Sequence, residues 1–544
     1  MPSATSATRV RRAVIGATSA ALVATGCGSG GSSSSGGSTD AGKTFSYQSS
    51  EPQNPLQPAN ANETGGGRIL QNLFKGLADY DPSNAQLRMQ VAQSIDTSDS
   101  QTFNVTLKSG WTFHDGTPVK AANFVNAWNW AATTANNQIN SSWFADIQGY
   151  QDVHPASGAS TATTMSGLTV TDDTHFTIKL NGKVSYFPYK LGYIAFSPLP
   201  DAFFSDPAGY GQKPVGNGPY QFVSWDHNTQ VVTKTYPGYM GVDKPKNGGV
   251  VFKMYTTAEA AYADLQSNNL DVIDQVPPSA LATYKSDLGD RAIDSPQGAI
   301  QNIGFTLYQP EWQGANTAKV RQGLSMAIDR NTITKTVLQG SRTPASAWTA
   351  EGVEGYKAGT CGDFCNFDAA KAKQLISEGG GVPGGSLKIT YNADGGHKEW
   401  VDAVCNSIRQ NTGVDCVGDP KADFKTAREA ITGHTINGAF RTGWVQDYPL
   451  NANFLADVYK TGAAANDFGY SSPQFDQLAN QADAADSIQA SATGYQQAEA
   501  VLAQDFPAIP LWYYRTNSGY STNVKNVTFD SFGNPAWTQV EVNG

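Results

Sequence analysis

The sequence predicts a mixed protein built from α/β and α+β lobes, and three observations carry that expectation. Strand and helix periodicities alternate along the chain without an internal repeat. The 544 residues suffice for three to four domains at about 150 residues each, unless the domains interleave. Low-complexity sequence is confined to one Gly/Ser tract near the N-terminus.

The N-terminal segment comes first. Arg9, Arg11 and Arg12 precede an uncharged apolar stretch from Ala13 to Ala24, which closes on small residues before Cys27. A basic start, a short apolar middle and a small-residue cleavage site predict a secretory signal over residues 1–26. The run is too short for a membrane span, which needs about 20 apolar residues. The following GSGGSSSSGGSTDAG cannot bury anything and predicts a flexible tether over residues 27–43. Removing residues 1–26 takes away three arginines and no acid, so the net charge moves from −10 to −13. That acidity argues against a phosphate-binding surface, and no nucleic-acid partner is expected.

Beyond the tether, TFNVTLK at Thr102–Lys108 places Phe103, Val105 and Leu107 on one face, the period of a half-buried strand. Asp115-Gly116 turns the chain, Thr117 can cap a helix and Pro118 suits its first turn. Phe124, Ala127, Trp128 and Ala131 then recur at helical spacing, and Trp111, Phe113, Trp128 and Trp130 read as packing residues. Further strands are expected at Thr174–Leu180, Gln230–Tyr236, Val250–Tyr255 and Leu387–Tyr391. Helices are expected at Ala258–Ser267, Thr317–Asp329, Asp368–Glu378 and His397–Gln410; Asp368 is a cap, and Gly413 follows the last of them.

Four cysteines remain besides Cys27, in two close pairs: Cys361 with Cys365, and Cys405 with Cys416. An even count outside the cell reads as disulfides. No histidine or second CxxC accompanies either pair at zinc spacing, so no metal site is expected. No GxSxG elbow, HExxH helix, P-loop or dinucleotide-binding fingerprint occurs, and the six histidines are scattered singly. An enzyme is not expected, and no cofactor is called for.

Six stretches, taken in order, resemble the solute-binding proteins of peptide-type ABC importers, the oligopeptide/dipeptide-binding family. They are FNVTLKSGWTFHDGTPVKAANFVNAW, PVGNGPYQFVSW, VRQGLSMAIDRNTI, FDAAKAKQLI, GWVQDYPLNANFL and FPAIPLWYY, and the resemblance runs from about Phe45 to the C-terminus. EPQNPLQPAN and the paired cysteines are most similar to the actinobacterial lipoproteins of that family. The segment around Cys27 resembles a lipobox, which implies acylation of the Cys27 sulfur and a membrane contact through that anchor alone. Two or more acyl chains give stable anchoring.

The resemblance implies a two-lobed, periplasmic-binding-protein-like fold with two hinge crossings. Lobe I would take residues 44–75, 206–297 and 505–544, an inserted subdomain 76–205, and lobe II 298–504. It implies a monomeric extracytoplasmic receptor that encloses an oligopeptide and hands it to ABC permease subunits. The strand around Arg441, Gly443, Trp444 and Val445 would pair with the peptide backbone. Asp447 falls on the family's carboxylate for the peptide α-amine, a group with a pKa of about 8 that is mostly charged at neutral pH. Arg441 and His397 fall near the peptide's C-terminal carboxylate, where an Arg fork suits the anion and a partly charged His would add to it. Val445 stands where some relatives carry a disulfide cysteine. The same fold could take a dipeptide, a metal chelate, an oligosaccharide or an antibiotic. A secreted hydrolase with dispersed catalytic residues, or a peptide-sensing receptor, are the readings from other classes.

Overall fold

A computed structural model describes residues 42–463 and 465–543. The expected signal, most of the tether and Cys27, the expected site of acylation, lie outside the described residues. No described helix is long and apolar enough to cross a membrane.

The chain is organised around one eleven-stranded sheet. From one end its order is Asp415–Lys421, Ser386–Asn392, Ala439–Val445, Ala292–Phe305, Ala508–Tyr520, Val272–Ile273, Thr44–Ser49, Gly249–Met254, Gln230–Thr235 and Tyr220–Asp226, with Arg342–Pro344 paired to Ala508–Tyr520. Ala292–Phe305 and Ala508–Tyr520 are the two long antiparallel members, and they link two separate cores. One core is built largely from residues 45–252 and 524–540, the other largely from residues 300–513. A small third core gathers Leu265, Leu270 and Tyr284. The register of the long pair breaks between Pro296 and Ile300 and again between Gln301 and Asn302. At the first break Gly298 donates to the Ser531 carbonyl at 2.7 Å and accepts from the Gln446 amide at 2.8 Å.

A four-stranded antiparallel sheet, Ala92–Asp96, Thr102–Leu107, His175–Lys179 and Leu168–Val170, stands apart from the central one. In Thr102–Leu107, Phe103, Val105 and Leu107 all face inward, as the alternation demands. The helix after it spans Ala121–Ala132, three residues later than Pro118 at the first helical position would require. Thr117 bonds Asp115 instead of capping, Pro118 pairs with Thr112 in an isolated bridge, and Lys120 is the residue that precedes the helix. Trp111, Phe113 and Trp128 are buried, and Trp130 is half-buried against Phe203.

The other expected elements form within a few residues of their predicted bounds. Ala258–Gln266, Gly314–Met326, Ala369–Glu378 and Lys398–Thr412 are helices. Asp368 accepts from the Ala370 and Lys371 amides, and Gly413 takes the left-handed conformation that ends the last helix. Both disulfides form, Cys361–Cys365 and Cys405–Cys416, the second tying a helix to the strand beside it.

Candidate functional site

Ala439–Val445 lies between the crossing strand Ala292–Phe305 and the parallel strand Ser386–Asn392. Its pairing with Ala292–Phe305 is continuous from Ala439↔Phe305 to Val445↔Ala299. With Ser386–Asn392 it pairs only at Ile389↔Ala439 and Thr390↔Phe440, after which the two diverge. The amides of Gln446 and Thr306 donate to the carbonyls of Gly298 and Gly438, which fixes the phase of the ladder. Even-numbered residues therefore point their backbone groups at the crossing strand, and Arg441, Gly443 and Val445 point theirs at the open edge. Gly443 is required here, because a Cβ would stand 2.6 Å from the Ile300 carbonyl oxygen. Val445 is 57% exposed, large for an apolar side chain.

Asp447 lies just past the strand end, before the helix Asn451–Tyr459. The buried Asn453 on that helix organises the turn. Its Oδ1 accepts from the Asp447 amide at 2.8 Å and from Trp444 Nε1 at 3.0 Å. Its Nδ2 donates to Asp447 Oδ2 at 3.2 Å and to Asp457 Oδ2 at 2.8 Å. Burial pushes the Asp447 carboxyl up to about 7; the Asn453 bond and Lys190 oppose this, and Asp457 adds to it. Asp447 opens on a cavity of about 190 Å³.

At the other end of the open edge, Arg441, Thr442, Gly443 and Trp444 line a second cavity of about 210 Å³. Arg441 is half-buried, and its Nε is enclosed without a partner. Among the described residues it makes no ion pair, whereas the adjacent Arg428 is tied to Asp467. Trp444 both walls this cavity and packs on the second core.

His397 is buried beside the start of the helix Lys398–Thr412, and its Nδ1 accepts from Trp400 Nε1 at 3.1 Å. Burial, helped by Arg441 and Arg342, holds its pKa down to about 4. It is therefore neutral at pH 7 with its proton on Nε2, and the partly charged His expected from sequence is corrected to a neutral one. Arg342, which stacks 4.0 Å from the Tyr514 ring centroid, adds positive charge that the sequence reading missed.

A half-buried ionic cluster bridges the two cores behind Asp447. Lys190 sits 2.5 Å from Asp146, with Asp457 and Asp483 also acting on its charge. Tyr186 and Tyr189 belong to the same stretch of chain yet pack in the second core: Tyr186 stacks on Tyr448, and Tyr189 donates to Glu354. Asn453 falls within GWVQDYPLNANFL without being singled out there, and Lys190 carries no local motif, so spatial neighbours are what mark them. Among the described residues no group of three or more His, Cys, Asp or Glu side chains is placed to hold a metal.

Two lobes joined by paired crossing strands, with an acidic and a basic end to an open strand edge, define a solute-binding protein. A model of "Bacterial extracellular solute-binding proteins, family 5 Middle" matches residues 86–466, and the chain belongs to that family. That membership makes it a binding protein and not an enzyme. It is 25% identical over 535 residues to the oligopeptide-binding protein OppA of Bacillus subtilis, covering 94% of this chain and 95% of that one. Among solved structures, the Escherichia coli murein tripeptide binding protein MppA aligns with a TM-score of 0.73 at 22% identity, covering 92% and 99% of the two chains. Haemophilus influenzae OppA in complex with RPPGFSPFR gives 0.73 at 20%, covering 93% and 100%. These two structures support the fold.

Proposed function

We propose that this protein is an extracytoplasmic receptor that binds oligopeptides between its lobes and delivers them to an ABC permease. The observation that carries the reading is the open edge at Arg441, Gly443 and Val445, with an unpaired guanidinium at one end and a half-buried carboxylate at the other. An extended chain can hydrogen-bond to that edge through its backbone, which makes the contact tolerant of side-chain sequence. Its α-ammonium would meet Asp447 and its terminal carboxylate Arg441, so the ligand runs antiparallel to the strand. Neutral His397 would offer an Nε2–H donor, and Arg342 long-range attraction. OppA of Bacillus subtilis is named an oligopeptide-binding protein, which favours this ligand class over sugars or metal chelates.

Lobe I would comprise residues 44–75, 206–297 and 505–544, with residues 76–205 inserted, and lobe II residues 298–504. The separation of the two cores supports this division, and the strand Ala508–Tyr520 is shared by both. A monomer acylated at Cys27 and held at the outer face of the membrane completes the reading.

The test is to denature protein purified from cells and analyse the released small molecules by mass spectrometry. A ladder of short peptides is expected; a single sugar or chelate mass would overturn the ligand assignment. For the anchor, an alkynyl fatty acid supplied during growth should label the native chain and not Cys27→Ser.

A further inference from the structure

The cavity at Asp447 does not end there. Only Gln446 and Asp447 come from the second lobe; the remaining lining residues belong to segments 71–88, 192–197, 219–243 and 530–538. A ligand whose α-ammonium sits at Asp447 and whose backbone follows the strand toward Arg441 would leave this first-lobe space to its first side chain.

The walls specify that side chain's chemistry. Asn72 is 1% exposed, and its Nδ2 donates to the Arg68 carbonyl at 2.9 Å; this fixes the amide orientation and leaves Oδ1 without a partner. Ser197 is equally buried, and its Oγ also has no partner. A buried unpaired acceptor such as Asn72 Oδ1 is costly and points to a donor brought by a ligand, and the Ser197 hydroxyl can accept from the same donor. The cavity's own cations cannot supply it: Lys75 is held by Asp79 at 3.2 Å, and Arg88 by Asp79 at 3.3 Å and Asp243 at 2.8 Å. Five aspartates line the cavity against those two cations, so its field disfavours an acidic guest. Tyr80, Tyr193 and Phe532 add ring surfaces, on which an alkyl stem packs and a cation is attracted.

We propose that this cavity is a subsite for a cationic first side chain, so that peptides beginning with Lys or Arg are preferred. A donor-only head on an apolar stem matches the unpaired Asn72 acceptor, the excess carboxylates and the aromatic walls together. The inference rests on the peptide reading above.

The experiment is calorimetric titration of three tetrapeptides differing only at the N-terminus: lysine-first, norleucine-first and N-acetylated lysine-first. Norleucine keeps the stem and removes the ammonium. The lysine-first peptide should bind at least about tenfold tighter than the norleucine-first one. That ratio should shrink in Ser197→Ala and in Asn72→Leu, each checked for an unchanged melting temperature. Equal or tighter norleucine binding, with acetylation still weakening affinity, overturns the cationic subsite and leaves the peptide reading intact. Affinity indifferent to acetylation overturns the placement of the α-amine at Asp447, and this inference falls with it.

Discussion

Asn453 holds Asp447 at both its backbone and its side chain, accepting from the amide through Oδ1 and donating to the carboxylate through Nδ2. The carboxylate is thereby aimed into the cavity while one oxygen keeps acceptor capacity for a ligand.

Replacing Asp447 by Asn should therefore weaken peptide binding by about ten- to a hundredfold, the range for a charge-assisted hydrogen bond. The melting temperature at pH 8 should hold or rise, because the native carboxylate is charged there in a site that favours its neutral form. Unchanged affinity by calorimetry would remove Asp447 from the site.

Proton release should accompany binding. The free-state pKa of Asp447 is raised to about 7, so near pH 7 a substantial fraction of the population is protonated. An arriving ammonium requires the carboxylate, so affinity should fall as pH drops below 7. Above about 8 the peptide amine loses its own charge, which places the optimum between these values. Titrations at pH 7 in phosphate and in Tris should give different apparent enthalpies, with protons passing to the buffer. The difference should vanish in Asp447→Asn.

Arg441→Gln should lower affinity for peptides with a free C-terminus and leave C-terminally amidated peptides much less affected. Arg441 and Asp447 are six residues apart, or about 20 Å at strand rise. Allowing for the reach of the Arg side chain, affinity should peak at about four to six ligand residues. A length series in which amidation never matters would detach Arg441 from the carboxylate.

The elements that the sequence made legible are those governed by local periodicity. Phe103, Val105 and Leu107 give their strand by alternation, and Asp368 and Gly413 give helix ends by capping chemistry. The helix after Pro118 starts late because Asp115 captures Thr117 and Pro118 bridges back to Thr112. Asp447 and Arg441 could be singled out because both fall in a motif-bearing stretch, GWVQDYPL and its flank. His397's charge could not be read, because it is set by burial and by two arginines, one of them 55 positions away in sequence. Lys190 matters only through Asp146, Asp457 and Asp483, all distant in the chain. Asn453 instead acts on Trp444, Asp447 and Asp457 within nine residues, through a turn whose shape the sequence does not spell out.

Glu499 supplies a stability test away from the ligand. It is fully buried, with Oε1 accepting from the Trp348 and Thr349 amides at 2.8 Å and Oε2 unpartnered. Burial raises its pKa to about 7, against which those amide bonds act. A carboxyl whose folded pKa lies above its unfolded value binds its proton more tightly when folded. Its contribution to stability therefore falls as pH rises from about 4 to about 7 and stays low above that. Gln keeps the acceptor at Oε1, carries no charge at any pH and puts a donor where the protonated acid has its hydroxyl. Glu499→Gln should accordingly raise the melting temperature relative to the native chain at pH 8 and raise it less at pH 5. A gain of the same size at both values would mean that Glu499 is already neutral throughout, and a loss at both would mean that its charged form is the one the Trp348 and Thr349 amides stabilise.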